Sequence, residues 1–219
     1  SPGTRARARE LGFVDAVHDS AAHAAHGADV VFLNVPLSAM TPLAVEIMPV
    51  LKAGTVLTDV GSVKQCVLDE ILPLLKDEVY LVPGHPIAGT EFSGPDAGFA
   101  ELFEGRWCIL TPPGETNLRA VETVAGLWRD IGSDVEFMDA RHHDLVLAIT
   151  SHLPHLIAFN IVGTAAQLES DTRSTVIKYS ASGFRDFTRI AASDPVMWRD
   201  IFLQNKEAVL EMLGRFNED

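Results

Sequence analysis

The run at residues 83–92, P-G-H-P-I-A-G-T-E-F, sets His85 between a glycine and a proline, directly after the apolar segment 79–82. An imidazole titrates near neutral pH without help, so a histidine presented at the end of a buried strand suits proton transfer. Pro83 and Pro86 stiffen the backbone there, while Gly84 and Gly89 open it to a ligand. Glu91, six residues on, adds a carboxylate. In isolation the same run also fits a turn whose histidine merely bonds a nearby carbonyl.

Other residues of chemical interest are spread along the chain. Ser62 follows a second apolar segment and offers a hydroxyl, although it is also placed to cap a helix that starts near Lys64. His152 and His155 stand three apart and share one helix face. A metal would want an Asp, Glu or Cys as third ligand, so substrate contact for His155 and support from His152 are preferred, against a core or capping role. His142 and His143 read as the solvated opening of a long helix, and His18, His23 and His26 as surface residues. Arg189 could grip a carboxylate through two parallel hydrogen bonds, although an arginine in a helix is more often a solvated charge. Cys66 and Cys108 lie far apart without metal-like spacing and read as reduced, partly buried thiols of a cytoplasmic protein.

The elements that must position these residues fall into two regimes. Up to about residue 139, apolar strands alternate with amphipathic helices. Strands are predicted at 13–17, 29–36, 55–59, 79–82, 107–111 and 135–138, with helices at 5–11, 21–26, 41–51, 64–75 and 117–131. Near-continuous apolar strands between helices indicate an α/β fold, a doubly wound, Rossmann-like and mostly parallel sheet. After Asp139 almost everything is helical: 141–168, 172–180 and 195–216, with Gly183 and the Ser193-Asp194-Pro195 capping signal as punctuation. The chain therefore reads as residues 1–139, a nucleotide-binding type of domain, and 140–219, a helical domain. The crevice between two such domains is the default place for a ligand.

Composition excludes some partners. The 219 residues are 47% hydrophobic, enough for a substantial core, and carry a net charge of −13 from 17 basic and 30 acidic residues. No Lys/Arg tract appears, so nucleic acid is not an expected partner. No apolar run reads as long enough to span a bilayer, and the first residues lack the apolar stretch of a secretory signal. A G-x-G-x-x-G loop is absent. Ser1-Pro2-Gly3-Thr4 would suit the end of a second strand, so the first domain is expected to be incomplete at its N-terminus; the rival reading is a genuine loss of cofactor binding.

Four segments in order then resemble one family: G-S-V-K at 61–64, G-H-P-I-A-G-T-E at 84–91, S-H-L-P-H at 151–155, and G-F-R-D-F-T-R-I-A with D-P-V-M-W-R-D-I-F at 183–202. They are similar to prephenate dehydrogenases of the TyrA type, which include arogenate and cyclohexadienyl dehydrogenases, and the resemblance runs from about Gly12 to the end of the chain. It implies an NAD(P)-binding domain followed by a helical domain that forms a homodimer. The implied reaction is oxidative decarboxylation of prephenate to 4-hydroxyphenylpyruvate in tyrosine biosynthesis. His85 is implied as the base and Ser62 as the partner that orients it. Arg189 is implied as the arginine that holds the substrate's side-chain carboxylate, with Gly183, Asp186 and Trp198 in the same motif. Glu91 and Asp186 are implied in an ion-pair gate between the domains, a plain salt bridge being the alternative. NAD or NADP would lie at the strand ends, lined by Asn34, Val35 and Pro36 and by Asp59, Val60 and Gly61. Arg5 is a candidate for a cofactor phosphate, although Arg5, Arg7 and Arg9 fit a solvated helix face better.

Two rival functions are weighed on the residues, the second of them kept as an alternative. A dehydrogenase of small 3-hydroxy acids would want a lysine in the first interdomain helix, and residues 141–168 contain none. A non-catalytic dimer that binds an aromatic acid is favoured by the missing glycine loop and opposed by the set His85, Ser62 and Arg189.

Overall fold

A computed structural model describes residues 1–89, 94–168 and 170–218, with backbone alone for residues 171, 173, 177, 186 and 187. Two compact units emerge, Ser1–Asp144 and Leu145–Asp219.

The first unit is laid out on six strands: β1 (Val30–Leu33), β2 (Val56–Asp59), β3 (Tyr80–Leu81), β4 (Gly84–Pro86), β5 (Trp107–Leu110) and β6 (Asp134–Phe137). β1, β2 and β3 lie side by side, all parallel, with Leu33 opposite Asp59 at the carboxyl end. In the second sheet β4 is antiparallel to β5, with His85 opposite Ile109, and β5 is parallel to β6. The chain changes sheets at Pro83. Val82 still donates to the Leu57 carbonyl at 2.9 Å, whereas the Pro83 carbonyl accepts from Thr111 at 2.9 Å. A proline cannot donate to a ladder, so the old pairing ends where the new one starts.

Helices α1 (Pro2–Glu10) and α2 (Ala21–Ala25) precede β1, α3 (Leu37–Ile47), α4 (Gln65–Ile71) and α5 (Leu118–Asp130) join strands, and α6 (Ala140–Leu147) follows β6. Helix α5 opens on Asn117, whose side chain accepts from Arg119. Its Ala120, Val121, Val124, Ala125 and Trp128 recur at helical spacing and bury one stripe. That stripe packs on Val56, Val82, Cys108 and Leu110, so one core underlies both sheets. Burial of each large side chain there contributes about 1.5–3 kcal/mol. The strand expected at 13–17 does not form. Phe13 and Val14 are exposed, no strand pairs with them among the described residues, and the Phe13 N–H goes instead to the Ala8 carbonyl.

The second unit is helical throughout: a π-helical turn at Ala148–His152, then α7 (Leu153–Ala166), α8 (Ser170–Tyr179), α9 (Ser182–Arg189), α10 (Pro195–Gln204) and α11 (Lys206–Glu218). Ala148, Leu153, Val209 and Met212 form its core. Asp194 caps α10 by accepting from Val196 and Met197, each at 2.8 Å. The single last helix expected at 195–216 is two, because Asn205 leaves helical geometry and turns its side chain to His152. Residues 140–166 form one helical run whose most apolar stretch reaches a mean hydropathy of 1.7. By length and composition that run could cross a bilayer, which corrects the expectation that none is long enough. A core helix meets the same criterion, and Ala148, Leu153 and Ala158 are buried.

Candidate active site

His85 sits in the middle of β4, only 9% exposed. The residue before it has no room for a side chain: a Cβ on Gly84 would stand 3.0 Å from Leu110 Cδ2 and 3.2 Å from the Asp59 carbonyl. Gly84 is also held from both ends of its peptide unit. Its N–H donates to Asp59 Oδ1 at 3.3 Å and its carbonyl accepts from Lys64 Nζ at 2.8 Å. Lys64 Nζ in turn bonds Asp59 Oδ2, and both side chains of this ion pair are wholly buried. Asp59 Oδ2 further accepts the Gly61 N–H at 2.7 Å. The last residue of β2 thus clamps the glycines next to Ser62 and His85. A buried pair of this kind is tolerated because its hydrogen bonds are satisfied, and removal of one partner typically costs about 3–5 kcal/mol.

The imidazole of His85 meets a partner that sequence reasoning did not supply. Its Nδ1 lies 2.9 Å from Nε2 of His143, the rings inclined at 66°. His143 is fully buried, not solvated, and its Nδ1 lies 2.8 Å from Asp144 Oδ1. The carboxylate of Asp144 accepts the backbone N–H of Lys64 at 2.8 Å and of Gln65 at 2.9 Å. The start of α4 is therefore capped by Asp144, not by Ser62, and Lys64 at the N-cap position makes no side-chain cap. Ser62 is half-buried, three residues past the end of β2, and the partner 2.9 Å from His85 Nδ1 is His143 rather than Ser62. The adjacent H-H-D at 142–144, polar residues at the head of an apolar helix, was the signal that could have revealed this.

The expected cofactor residues divide. Asn34 and Pro36 are exposed and Val35 half-buried just past the carboxyl end of β1, and Val60 and Gly61 are half-buried past β2. Parallel strands with open carboxyl ends fit the nicotinamide half of a dinucleotide. The Asp59 carboxylate is buried and occupied by Lys64, Gly61 and Gly84. Gly61 is needed for packing, since a Cβ there would stand 2.8 Å from Leu37 Cδ2 and 2.9 Å from Met40 Cε. Arg5 bonds Asp19 at 2.9 Å and Arg7 pairs with Asp96, so both serve surface ion pairs.

In the helical unit His155 and Trp198 come together, stacked with centroids 3.7 Å apart and planes within 17°. His155 Nδ1 lies 2.8 Å from the Ser151 carbonyl. A carbonyl only accepts, so Nδ1 carries the hydrogen and the neutral ring offers Nε2 as acceptor. Burial pushes the His155 pKa below its ordinary value. Trp198 is buried, and its indole N–H meets no acceptor among the described residues. His152 is buried, bonded to Asn205 at 3.0 Å and edge-on to Trp198. Arg189 ends α9 and is exposed; Gly183, also exposed, lies in the first turn of the same helix rather than breaking it. Glu91 falls outside the described residues, and Asp186 is described only by its backbone in α9. Two carboxylates repel each other, so a gate built from that pair would require a cation between them.

Comparison with known proteins places this geometry. Profiles described as "Prephenate dehydrogenase, nucleotide-binding domain" and "Prephenate dehydrogenase, dimerization domain" match residues 1–137 and 139–219. The cyclohexadienyl dehydrogenase of Zymomonas mobilis is 45% identical over 215 residues, 98% of this chain and 73% of that protein. The prephenate dehydrogenase of Bacillus subtilis is 36% identical over 212 residues, 96% of this chain but 56% of its own length. Among solved structures, the prephenate dehydrogenase of A. aeolicus in complex with hydroxyphenyl propionate and NAD+ has a TM-score of 0.92 at 38% identity, covering 100% of this chain and 76% of that one. Synechocystis arogenate dehydrogenase has a TM-score of 0.81 at 25% identity, with coverage of 100% and 77%. With both domain profiles matched along its length and a relative at 45% identity largely covered, the chain belongs to the prephenate dehydrogenase family.

Proposed function

We propose that the protein oxidatively decarboxylates prephenate to 4-hydroxyphenylpyruvate with NAD or NADP, using His85 as the base. The observation that carries this reading is the mounting of His85: nearly buried, on a strand whose preceding glycine is clamped by Asp59 and Lys64, and bonded to a second buried histidine. The nucleotide-binding profile and the NAD+ complex of the A. aeolicus relative support a nicotinamide cofactor. Asn34, Val35 and Pro36, with the backbone of Val60 and Gly61, would hold it, and when bound it supplies a hydride acceptor.

The substrate class carries a hydroxyl on the ring carbon that loses hydride and a carboxylate on the opposite carbon. His85 takes the hydroxyl proton, the O–H electron pair becomes the carbonyl bond, and that carbonyl is the electron sink for loss of carbon dioxide. A positioned base is worth about 10²–10⁴-fold. Ser62 contacts the same hydroxyl and Arg189 a carboxylate. His155, a neutral acceptor, suits a hydroxyl donor better than a carboxylate, and the unengaged Trp198 N–H suits a ligand oxygen. Arogenate as an additional substrate is favoured by the identity to a cyclohexadienyl dehydrogenase.

We further read the protein as a cytoplasmic homodimer whose copies meet through the helical unit. The dimerization-domain profile supports this, as does an apolar groove of about 540 Å³ along α7, lined by Leu156, Ile157, Ile161, Ala165 and Leu213 among others. The decisive experiment is reduction of NAD and of NADP, followed at the nicotinamide absorbance, with prephenate and then arogenate as substrate. Reduction with either supports the dehydrogenase and identifies the substrate. Binding of prephenate without any reduction would replace it with a non-catalytic aromatic-acid binder.

A further inference from the structure

A histidine can act as base only through the ring nitrogen that carries no proton, and His85 has two nitrogens to choose between. The structure makes the choice through a chain of donors. Both oxygens of Asp144 accept backbone N–H groups, from Lys64 at 2.8 Å and Gln65 at 2.9 Å, and a backbone N–H can only donate. The carboxylate is thus an acceptor on both sides, and His143 Nδ1, 2.8 Å from Oδ1, must be the donor to it. In the neutral His143 ring the other nitrogen, Nε2, is then an acceptor. His85 Nδ1, 2.9 Å away, must donate in its turn. The lone pair of His85 is therefore on Nε2.

We infer that His143 and Asp144 are positioning residues that fix the tautomer of His85, so that Nε2 is the nitrogen that receives the substrate proton. The catalytic part rests on the reading of His85 as base, whereas the tautomer follows from the hydrogen bonds alone. In the step itself the hydroxyl O–H bond breaks and its proton bonds to His85 Nε2. The O–H electron pair closes the carbonyl as the ring carbon gives up hydride, for which a bound nicotinamide would be the acceptor. The positive charge formed on His85 faces the lone pair of His143 Nε2, and the His143 Nδ1–H faces a carboxylate. The His143–Asp144 pair therefore stabilises the charge formed on His85. Without an acceptor at Nδ1, His85 would be open to both tautomers, and the one with Nε2–H cannot take the proton.

The test uses the chain with ¹⁵N-labelled histidine and reads each ring nitrogen by long-range ¹H–¹⁵N correlation at about pH 8.5, above the usual histidine range. The expected pattern for His85 is a protonated Nδ1 and an unprotonated Nε2, retained in His143→Gln, whose amide oxygen can still accept, and lost in His143→Leu. In turnover of prephenate, His143→Leu is expected to lose about 10–100-fold, the size typical of a group that orients a functional histidine. Its KM should stay within about twofold, and His143→Gln should recover most of the loss. Asp144→Asn should behave as His143→Leu does; the wild-type spectrum answers the question even where that variant fails to fold. An Nε2–H tautomer in the wild type, or a His143→Leu chain with unchanged spectrum and turnover, overturns the proposal. A wild-type chain with the expected tautomer that reduces no cofactor overturns the proposed reaction and upholds the tautomer.

Discussion

His85 was legible in the sequence because its type, its glycine and proline neighbours and the apolar run before it are all local. Its partner was not. His143 is 58 residues away, at the head of a helix where a histidine is ordinarily solvated, and only the fold brings the two rings to 2.9 Å. The work of Lys64 and Asp59 was hidden for a different reason: they are five residues apart, but no composition argument would assign full burial to charged residues. At this scale two outcomes are expected. His85→Asn should lower turnover by about 10²–10⁴-fold, with a small change in KM, and steady-state kinetics showing less than about a tenfold loss would remove the base assignment. Arg189→Ala should chiefly raise KM for prephenate, and an unchanged KM would deny it a carboxylate.

The elements follow from patterns that are local as well. Val30-Val31-Phe32-Leu33 and Val56-Leu57-Thr58 form parallel strands because β-branched and apolar residues fit a sheet covered on both faces. Where the expected elements failed, a long-range partner was missing or was present unforeseen. Residues 13–17 have strand-like residues but no neighbour, and the last helix breaks at Asn205, whose side chain is engaged by His152. The tight approach of β2, β4 and β5 is an element-scale property and gives an element-scale prediction. Gly84→Ala would push a Cβ against Leu110 Cδ2 and the Asp59 carbonyl, and the carbonyl belongs to the backbone of β2 and cannot turn away. Overpacking of this kind is expected to cost about 1–3 kcal/mol, read as a lower urea midpoint, and to lower turnover by displacing His85.

At the scale of the whole molecule, charge and surface set two further expectations. Burial lowers the His155 pKa from its ordinary 6.5, stacked as it is on Trp198 with Ser151 accepting from Nδ1. Below that value the unfolded chain binds a proton on His155 that the native chain resists, so the native state loses stability as pH falls from 6.5 toward the lowered value. Urea midpoints should fall over that interval, and His155→Gln should flatten the fall; an identical slope in the variant would contradict the assignment. Ile161→Glu places a charge in the apolar groove of α7 and outside the buried core of its unit. Sedimentation should show the variant shifted from dimer to monomer with its circular dichroism intact, and a monomeric wild type would refute the dimer.

The sequence by itself determined the α/β-then-helical order of elements and the family, and it named the candidate residues for chemistry, since periodicity, capping and motif spacing are properties of neighbours in the chain. Only the tertiary structure decided what each of those residues is bonded to. Hydrogen bonds such as Asp144 to the head of α4, or His143 to His85, join groups 58 to 80 residues apart, and their donors and acceptors become partners only when the sheet and helices bury them away from water. That burial made the Asp59 side chain an internal clamp and His143, an expected surface residue, the neighbour of His85.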